Sequence, residues 1–406
     1  MRLDFSFPRR VRLVYFGRIG LGILRNYVTE TDVAIYENPR ERLNVWVAAR
    51  MVLSRDLSEF SYYRAFLRWR KPKFVITMED NNVTFYATKV VIPECMTLAI
   101  QNGVRIAQSH SADSNFKTEL QHLNQKGYDA DVIGTLGRLG SIFYKEALPN
   151  SRVRLVEMGH LMNNALSVSS ESDSASPRRL VFISKFPNRG ESGVDNEWDS
   201  KVIFYMHQAA LTAKQYYNVE AVVARNCATI ANEHSMQFVV LGKRPAWQVG
   251  EYGYFAEHLK GLSWQYLPSS NQASSYEAIR PSDVIVNVDS TLGYELFSRG
   301  LRVAFVAARM HAAGHPEIVE QRFGYPLLEE PAGPFWTSVA TDAEIRRVVN
   351  TAISVSEEQW IKIADSARQM LFQYDRANTR LCTELNRLGI QNSGPRLWTR
   401  ELIPLN

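Results

Sequence analysis

Short runs of β-branched and aromatic residues recur along this chain, and between them lie longer stretches with amphipathic, helical spacing. A strand followed by a helix and then by another strand builds a parallel sheet, so this alternation confines the fold to the α/β class. The first half offers strands at Val11–Phe16, Asp32–Tyr36, Lys73–Thr77, Thr97–Gln101, Ala130–Ile133 and Arg152–Glu157, with helices at Arg40–Val52 and Ser58–Trp69. The second half restarts at Arg179–Ser184 and continues through Gln237–Leu241, Ser263–Leu267, Asp283–Val288 and Arg302–Val306. A helix is expected from Ser200 to Ala231, broken near Asn218, and the tail from Ala343 to Leu388 reads as largely helical. No internal period of roughly 20–50 residues is present, which excludes solenoids and propellers.

The length of 406 residues suits two domains. Ser167–Ser176 (SVSSESDSAS) has only Val168 and Ala175 as apolar residues and marks a linker or surface loop. The expected division is a first Rossmann-like domain over 1–165, a serine-rich linker or loop over 166–178, a second such domain over 179–388 and a tail over 389–406. Two Rossmann-like parallel-sheet domains with a ligand in the cleft between them is the plainest architecture. Open α/β sheets bind ligands beyond the carboxyl ends of their strands, so functional residues should follow strands. Lysine and arginine number 47 against 42 carboxylates, a net charge of +5 without a basic tract. That balance suits an anionic ligand or a membrane surface and argues against nucleic acid. Cys95, Cys227 and Cys382 are scattered, which excludes a disulfide framework or a zinc site and favours a reducing compartment. No apolar run approaches the roughly 18–20 residues of a membrane span, and Met1–Arg12 lacks the apolar core of a secretory signal.

Two stretches of the second half carry anion chemistry. In VVLGKRP (Val239–Pro245) a strand runs into Gly242, which permits close approach, and then into Lys243 and Arg244, which can neutralise a phosphate. In DSTLGYE (Asp289–Glu295) Ser290 or Thr291 caps a helix whose N-terminus attracts anions, and Glu295 is placed to accept ribose hydroxyls. Between them Tyr266 and Leu267 end a strand where backbone groups can read a base edge. The competing reading of each is a strand-to-loop turn or an ordinary capping box. In the first half Asp80, Asn81 and Asn82 follow one strand, and Gln101, Asn102 and Arg105 follow another. Gly159, His160, Asn163 and Asn164 follow a third. These clusters read as a rim for a polar substrate such as a sugar, with turn chemistry as the alternative. Asp129-Ala130-Asp131 and the His311/His315 pair lack the context of metal sites. Gly-x-Gly-x-x-Gly and the P-loop are absent.

Taken together, GKRP, the S-T-x-G-x-E helix start and IQNGVR (Ile100–Arg105) with ITMEDNN (Ile76–Asn82) resemble GT-B glycosyltransferases, and more narrowly the retaining β-Kdo transferases of bacterial surface-carbohydrate synthesis. The resemblance implies CMP-β-Kdo as donor, a lipid-linked O-antigen (lipopolysaccharide) saccharide as acceptor, and no metal or other cofactor. It also implies other modules of a polymer synthase as partners and a peripheral position on the cytoplasmic face of the bacterial inner membrane. Lys243 and Arg244 would hold the CMP phosphate, although the histidine of the related K-x-H-P pattern is missing. Ser290, Thr291 and Glu295 would take phosphate or ribose, and Ser184, Lys185 and Arg189 the Kdo carboxylate. Retention by two displacements needs a carboxylate nucleophile, expected in an Asp-Glu-His triplet; here the run is Asn232-Glu233-His234, which implies an impaired variant. Glu157 is a secondary candidate for a base. The alternatives are an inverting CMP- or UDP-sugar transferase, a sugar-nucleotide epimerase, or a non-catalytic nucleotide-sugar-binding scaffold.

Overall fold

In a computed structural model, residues 2–53, 55–105, 112–167, 177–186, 199–206, 209–271, 273–316 and 332–398 are described. The chain forms two compact units. One comprises Met1–Ala165 with Gln373–Leu397, the other Leu166–Phe372 with Trp398–Asn406.

The first unit is built on a parallel sheet of β1 (Leu13–Phe16), β2 (Val33–Tyr36), β3 (Phe74–Thr77), β4 (Met96–Ile100), β5 (Val132–Thr135) and β6 (Arg154–Glu157). Their order is β2-β1-β3-β4-β5-β6, so the winding reverses between β1 and β3. Every residue of β1, β3 and β5 is buried, the mark of strands covered on both faces. Phe16, Tyr36, Tyr63 and Phe85 pack around the first strands. The expected helix over Arg40–Val52 is shorter than its periodicity suggests. Arg42–Asn44 instead pairs in parallel with Arg2–Asp4, and the helix is Val45–Leu53. Asn44 sets that start, because its side-chain oxygen accepts the N–H groups of Trp46 and Val47, each at 3.2 Å.

The second unit's sheet contains β7 (Arg179–Ile183), β8 (Gln237–Leu241), β9 (Gln265–Leu267), β10 (Val284–Asn287), β11 (Arg302–Val306) and β12 (Trp336–Thr337). Their order is β9-β8-β7-β10-β11-β12, all parallel, with Ala332–Gly333 added antiparallel at the edge. This is the doubly wound order whose ligand crevice opens where the winding reverses, between β7 and β10. The helix expected from Ser200 begins later. Val202–Met206 and Ala209–Thr212 pair as antiparallel strands, and one unbroken helix runs Ala213–Glu233 through Asn218. A capping box between Thr212 and Gln215 fixes its first turn.

The domain boundary expected at residue 388 also shifts. Gln373–Leu397 belongs to the first unit, because buried Asn378 donates to the Tyr27 hydroxyl (2.6 Å) and Leu161 carbonyl (2.8 Å) and accepts from Asn164 (2.9 Å). The serine-rich stretch lies outside the described residues except for Ser167.

Candidate functional site

The polar residues that converge in the second unit do so at the carboxyl end of its sheet, and a residue without a motif organises them. Glu251, on the Val249–His258 helix, is fully buried. Its carboxylate accepts hydrogen bonds from Ser184 Oγ (2.5 Å), the Lys243 N–H (3.1 Å), the Arg244 N–H (2.9 Å) and the Tyr266 hydroxyl (2.8 Å). One carboxylate thus ties together the ends of β7, β8 and β9, and four donors offset its loss of hydration. Burial and the adjacent Glu251 raise the Tyr266 hydroxyl above its usual range. A Cβ at Gly242 would stand 2.3 Å from the Tyr266 hydroxyl oxygen, so only glycine fits there. The Gly242 N–H donates to the Leu267 carbonyl (2.8 Å). Gly242, Tyr266 and Leu267 therefore shape the loop. The main-chain N–H groups of Lys243 and Arg244 are engaged by Glu251, which leaves their side chains to meet an anion. The Lys243 ammonium is held below its ordinary range by burial, and then by repulsion from Arg244 and Lys185, which places three cations together.

A second knot closes the reversal point between β7 and β10. Arg309, just beyond β11, is wholly buried. It pairs with Asp289 Oδ2 (Nε at 3.0 Å, Nη2 at 2.9 Å) and Glu220 Oε1 (3.2 Å), donates to the Tyr216 carbonyl (2.5 Å), and lies 4.1 Å from the Tyr216 ring centroid. Lys185 Nζ stands 3.5 Å from the same Asp289 oxygen, and the Lys185 N–H reaches Glu220 Oε2 at 3.3 Å. Burial pushes the Glu220 carboxyl up to about 7, Arg309 opposing and Asp289 reinforcing the shift. The other Asp289 oxygen, Oδ1, is buried without a hydrogen-bond partner.

Ser290 and Thr291 are half-buried at the start of the Thr291–Ser298 helix, where the Ser290 N–H donates to Asn287 Oδ1 (3.0 Å). Gly293 serves packing: a Cβ there would meet Asn287 Cγ at 2.2 Å. Glu295, expected at a ribose, is buried and bonded to the Tyr276 hydroxyl, so it faces the interior of the unit. Arg189 lies outside the described residues.

Asn232, Glu233 and His234 do not join this site. They end the Ala213–Glu233 helix and precede β8, which puts them at the amino end of the sheet. The length of β8, roughly 16 Å for five residues, separates them from Gly242. All three are exposed; Glu233 pairs with Arg346, and His234 Nε2 lies 3.0 Å from Asn350 Oδ1. The helix returns to the start of β8, so the expected nucleophile position 232 lies at the opposite end of the sheet from the Gly242 loop.

In the first unit Asp80 is a buried internal clasp. It binds Arg105 through both oxygens (2.9 and 2.7 Å), the Asn102 N–H (3.1 Å) and the Tyr144 hydroxyl. Gln101 is likewise buried, accepting from the Leu136 N–H (3.0 Å) and donating to the Gly103 carbonyl (2.7 Å). These bonds turn Asp80, Gln101 and Arg105 inward, away from the substrate rim expected of them, while Asn102 is exposed. Asn82 caps Val83–Tyr86 through the Thr84 N–H (3.1 Å). With exposed Asn81 it lines a cavity of about 540 Å³ that also holds Glu79. Burial raises the Glu79 carboxyl, and the backbone N–H groups of Ile19 and Arg18 oppose that shift. Glu157 ends β6, its carbonyl taking Arg380 Nη1 (2.6 Å), and the His160 carbonyl accepts the Asn164 N–H (3.0 Å). In the Asp-x-Asp stretch Asp131 pairs with Lys89 (3.1 Å) and Asp129 bonds Ser151, both structural contacts. Among the described residues no three His, Cys, Asp or Glu side chains group to hold a metal ion, and no helix is long and apolar enough to cross a membrane.

Glu251, Glu220 and Arg309 carry no motif: Glu251 follows the Lys243–Arg244 loop closely but nothing in local spacing marks its inward turn, and Glu220 and Arg309 come from elements remote in sequence. Glu79 had a signal, its place just after a strand, but the neighbouring Asp80-Asn81-Asn82 run overshadowed it.

The sequence profile of a family of O-antigen biosynthesis proteins matches residues 98–389, well over half of the chain. No curated protein matches the sequence. Among solved structures, the UDP-GlcNAc 2-epimerase from Neisseria meningitidis bound to UDP-GlcNAc is similar with a TM-score of 0.51 and 11% identity, covering 93% of this chain and 100% of that one. The wall teichoic acid polymerase TagF gives 0.48 and 9%, covering 93% and 88%, and MurG of Acinetobacter baumannii 0.44 and 10%, covering 93% and 99%. At such identity the epimerase likeness speaks to the fold, and with the two Rossmann-like sheets it places the chain in the GT-B-like class.

Proposed function

This chain belongs to the O-antigen biosynthesis protein family, and we propose that it is a glycosyltransferase whose nucleotide-sugar donor seats its phosphate at the carboxyl end of the second sheet. The observation that carries this reading is the grouping of Lys185, Lys243 and Arg244 beside the β7/β10 reversal, backed by the buried carboxylates Glu251 and Asp289. In glycosyl transfer the bond from the anomeric carbon to phosphate oxygen breaks, and its electron pair leaves with the phosphate. Cations fixed before the reaction stabilise that developing charge without reorganising. Glu251 supplies such fixation, because it locks the backbone from which Lys243 and Arg244 project.

The donor we favour is CMP-β-Kdo, with a lipid-linked O-antigen saccharide as acceptor and other modules of a polymer synthase as neighbours. The support is the resemblance in the GKRP and IQNGVR stretches, and the two anionic groups of this donor, phosphate and carboxylate, which suit a cluster of three cations. Position 232, at the opposite end of the sheet, has no part in this reading.

The test is a titration of CMP-β-Kdo, with UDP-GlcNAc as comparison, followed by product analysis with a saccharide acceptor. Lys185→Met with Lys243→Met should weaken donor binding at least about tenfold, as expected for two charge-assisted contacts, and leave the melting temperature close to the parent's. Equal donor binding by the double variant would contradict the site. Preferred binding of UDP-GlcNAc with epimerisation in the absence of acceptor would replace transferase by epimerase, and binding without turnover would indicate a scaffold.

A further inference from the structure

The first unit carries an apolar, arginine-rimmed surface that the donor site does not use. Its N-terminal segment exposes Leu3 (53%), Phe5 (70%) and Phe7 (66%), and the Val45–Leu53 helix exposes Trp46 (45%) and Leu53 (85%). These are one patch rather than scattered residues. Arg2–Asp4 is paired with Arg42–Asn44, which leads directly into that helix. Trp46 Nε1 donates to the Phe5 carbonyl at 3.0 Å, and the Phe7 ring lies 5.7 Å from that of Trp46 and 5.6 Å from that of Trp69. On the helix Trp46, Arg50 and Leu53 have i, i+4, i+7 spacing and share a face, and the buried residue, Val47, lies about a quarter-turn away from it. Soluble surfaces seldom hold so many large apolar side chains together unless something covers them.

Charge identifies the cover. Residues 1–73 contain 15 arginines and lysines against 7 aspartates and glutamates, a surplus of eight where the whole chain has five. Exposed Arg2, Arg9, Arg10 and Arg50 adjoin the apolar residues in sequence, and the Arg50 guanidinium sits 5.7 Å from the Trp69 ring centroid. Tryptophan and phenylalanine with arginines around them match the interface of a bilayer, where rings lie at headgroup depth and guanidinium groups meet lipid phosphates. We propose that this surface docks the chain onto an anionic lipid membrane, Phe5 and Leu53 entering the headgroup region and Arg9, Arg10 and Arg50 pairing with phosphates. The proposal does not depend on the donor site, since vesicle binding is read without nucleotide and donor binding without lipid.

The experiment is co-sedimentation of the full chain with vesicles of phosphatidylcholine alone or mixed with phosphatidylglycerol, at low and high salt. The chain should pellet with the mixed vesicles at low salt and be released by high salt. Arg9→Glu with Arg10→Glu should weaken that binding at least about tenfold, as should Phe5→Ser with Leu53→Ser, each with an unchanged melting temperature because the substituted side chains are exposed. Equal pelleting with both vesicle types, no pelleting, or variants that bind like the parent would overturn the proposal. So would sedimentation velocity showing a dimer that Phe5→Ser with Leu53→Ser dissolves, which would make the patch a contact between copies, or a protein partner retained only through it.

Discussion

Glu251 and Glu220 are both buried carboxylates of the second unit, and their surroundings give them different duties. Glu251 accepts from four donors, two of them main-chain N–H groups that cannot turn away. In Glu251→Gln one oxygen becomes an NH₂ group that points its own hydrogens at those donors. The loss should cost about 3 kcal/mol and lower the melting temperature by roughly 6–12 °C for a unit of this size. Donor binding should fall with it, and a variant with parental melting would deny Glu251 its organising role. Glu220 faces Arg309 and Asp289 in a site closed to water. Its carboxyl titrates at about 7 when folded, against 4.5 as the ordinary value. Between these values the folded chain holds the extra proton, so the contribution is complete below pH 4.5 and is lost as pH rises through about 7. Glu220→Gln should therefore flatten the fall of melting temperature across that window, whatever its effect on absolute stability. A slope equal to the parent's would show that Glu220 ionises normally.

At the scale of elements, the Ala213–Glu233 helix separates two readings of the same residues. Its first half delivers Tyr216 and Glu220 to the carboxyl end of the sheet, and its last turn carries Asn232 to the amino end. Asn232→Asp should leave transfer unchanged, produce no covalent sugar adduct by intact-protein mass, and destabilise by less than about 1 kcal/mol through a negative charge at a helix C-terminus. A gain of activity with an adduct would restore the nucleophile. The main strands were legible because buried parallel strands read as unbroken apolar runs, as in Phe74–Thr77 and Val284–Asn287. The Val202–Thr212 pairing was missed although its apolar residues favour strand, and the Thr212/Gln215 spacing already marked where the helix starts. Lys185, Lys243 and Arg244 were legible as cations just after strands. Glu295 was legible only as a carboxylate near a helix start. Its inward direction depends on Tyr276, which approaches from another element and leaves no trace in local spacing.

At the scale of the molecule, the chain leaves the first unit, builds the second and returns. Asn378→Ala with Glu384→Ala would strip Tyr27, Leu161 and Arg154 of the contacts that the returning segment makes with the first unit. Limited proteolysis should then attack the first unit far faster than the second, and equal resistance of both would argue against the division. The donor site as a whole is tested most directly by hydrogen–deuterium exchange with and without saturating CMP-β-Kdo. Slowed exchange should concentrate in residues 184–186, 242–245 and 289–293, where β7, β8 and β10 end. Unchanged exchange in those loops, or protection centred on residues 232–236, would contradict a donor site at the carboxyl end of the second sheet.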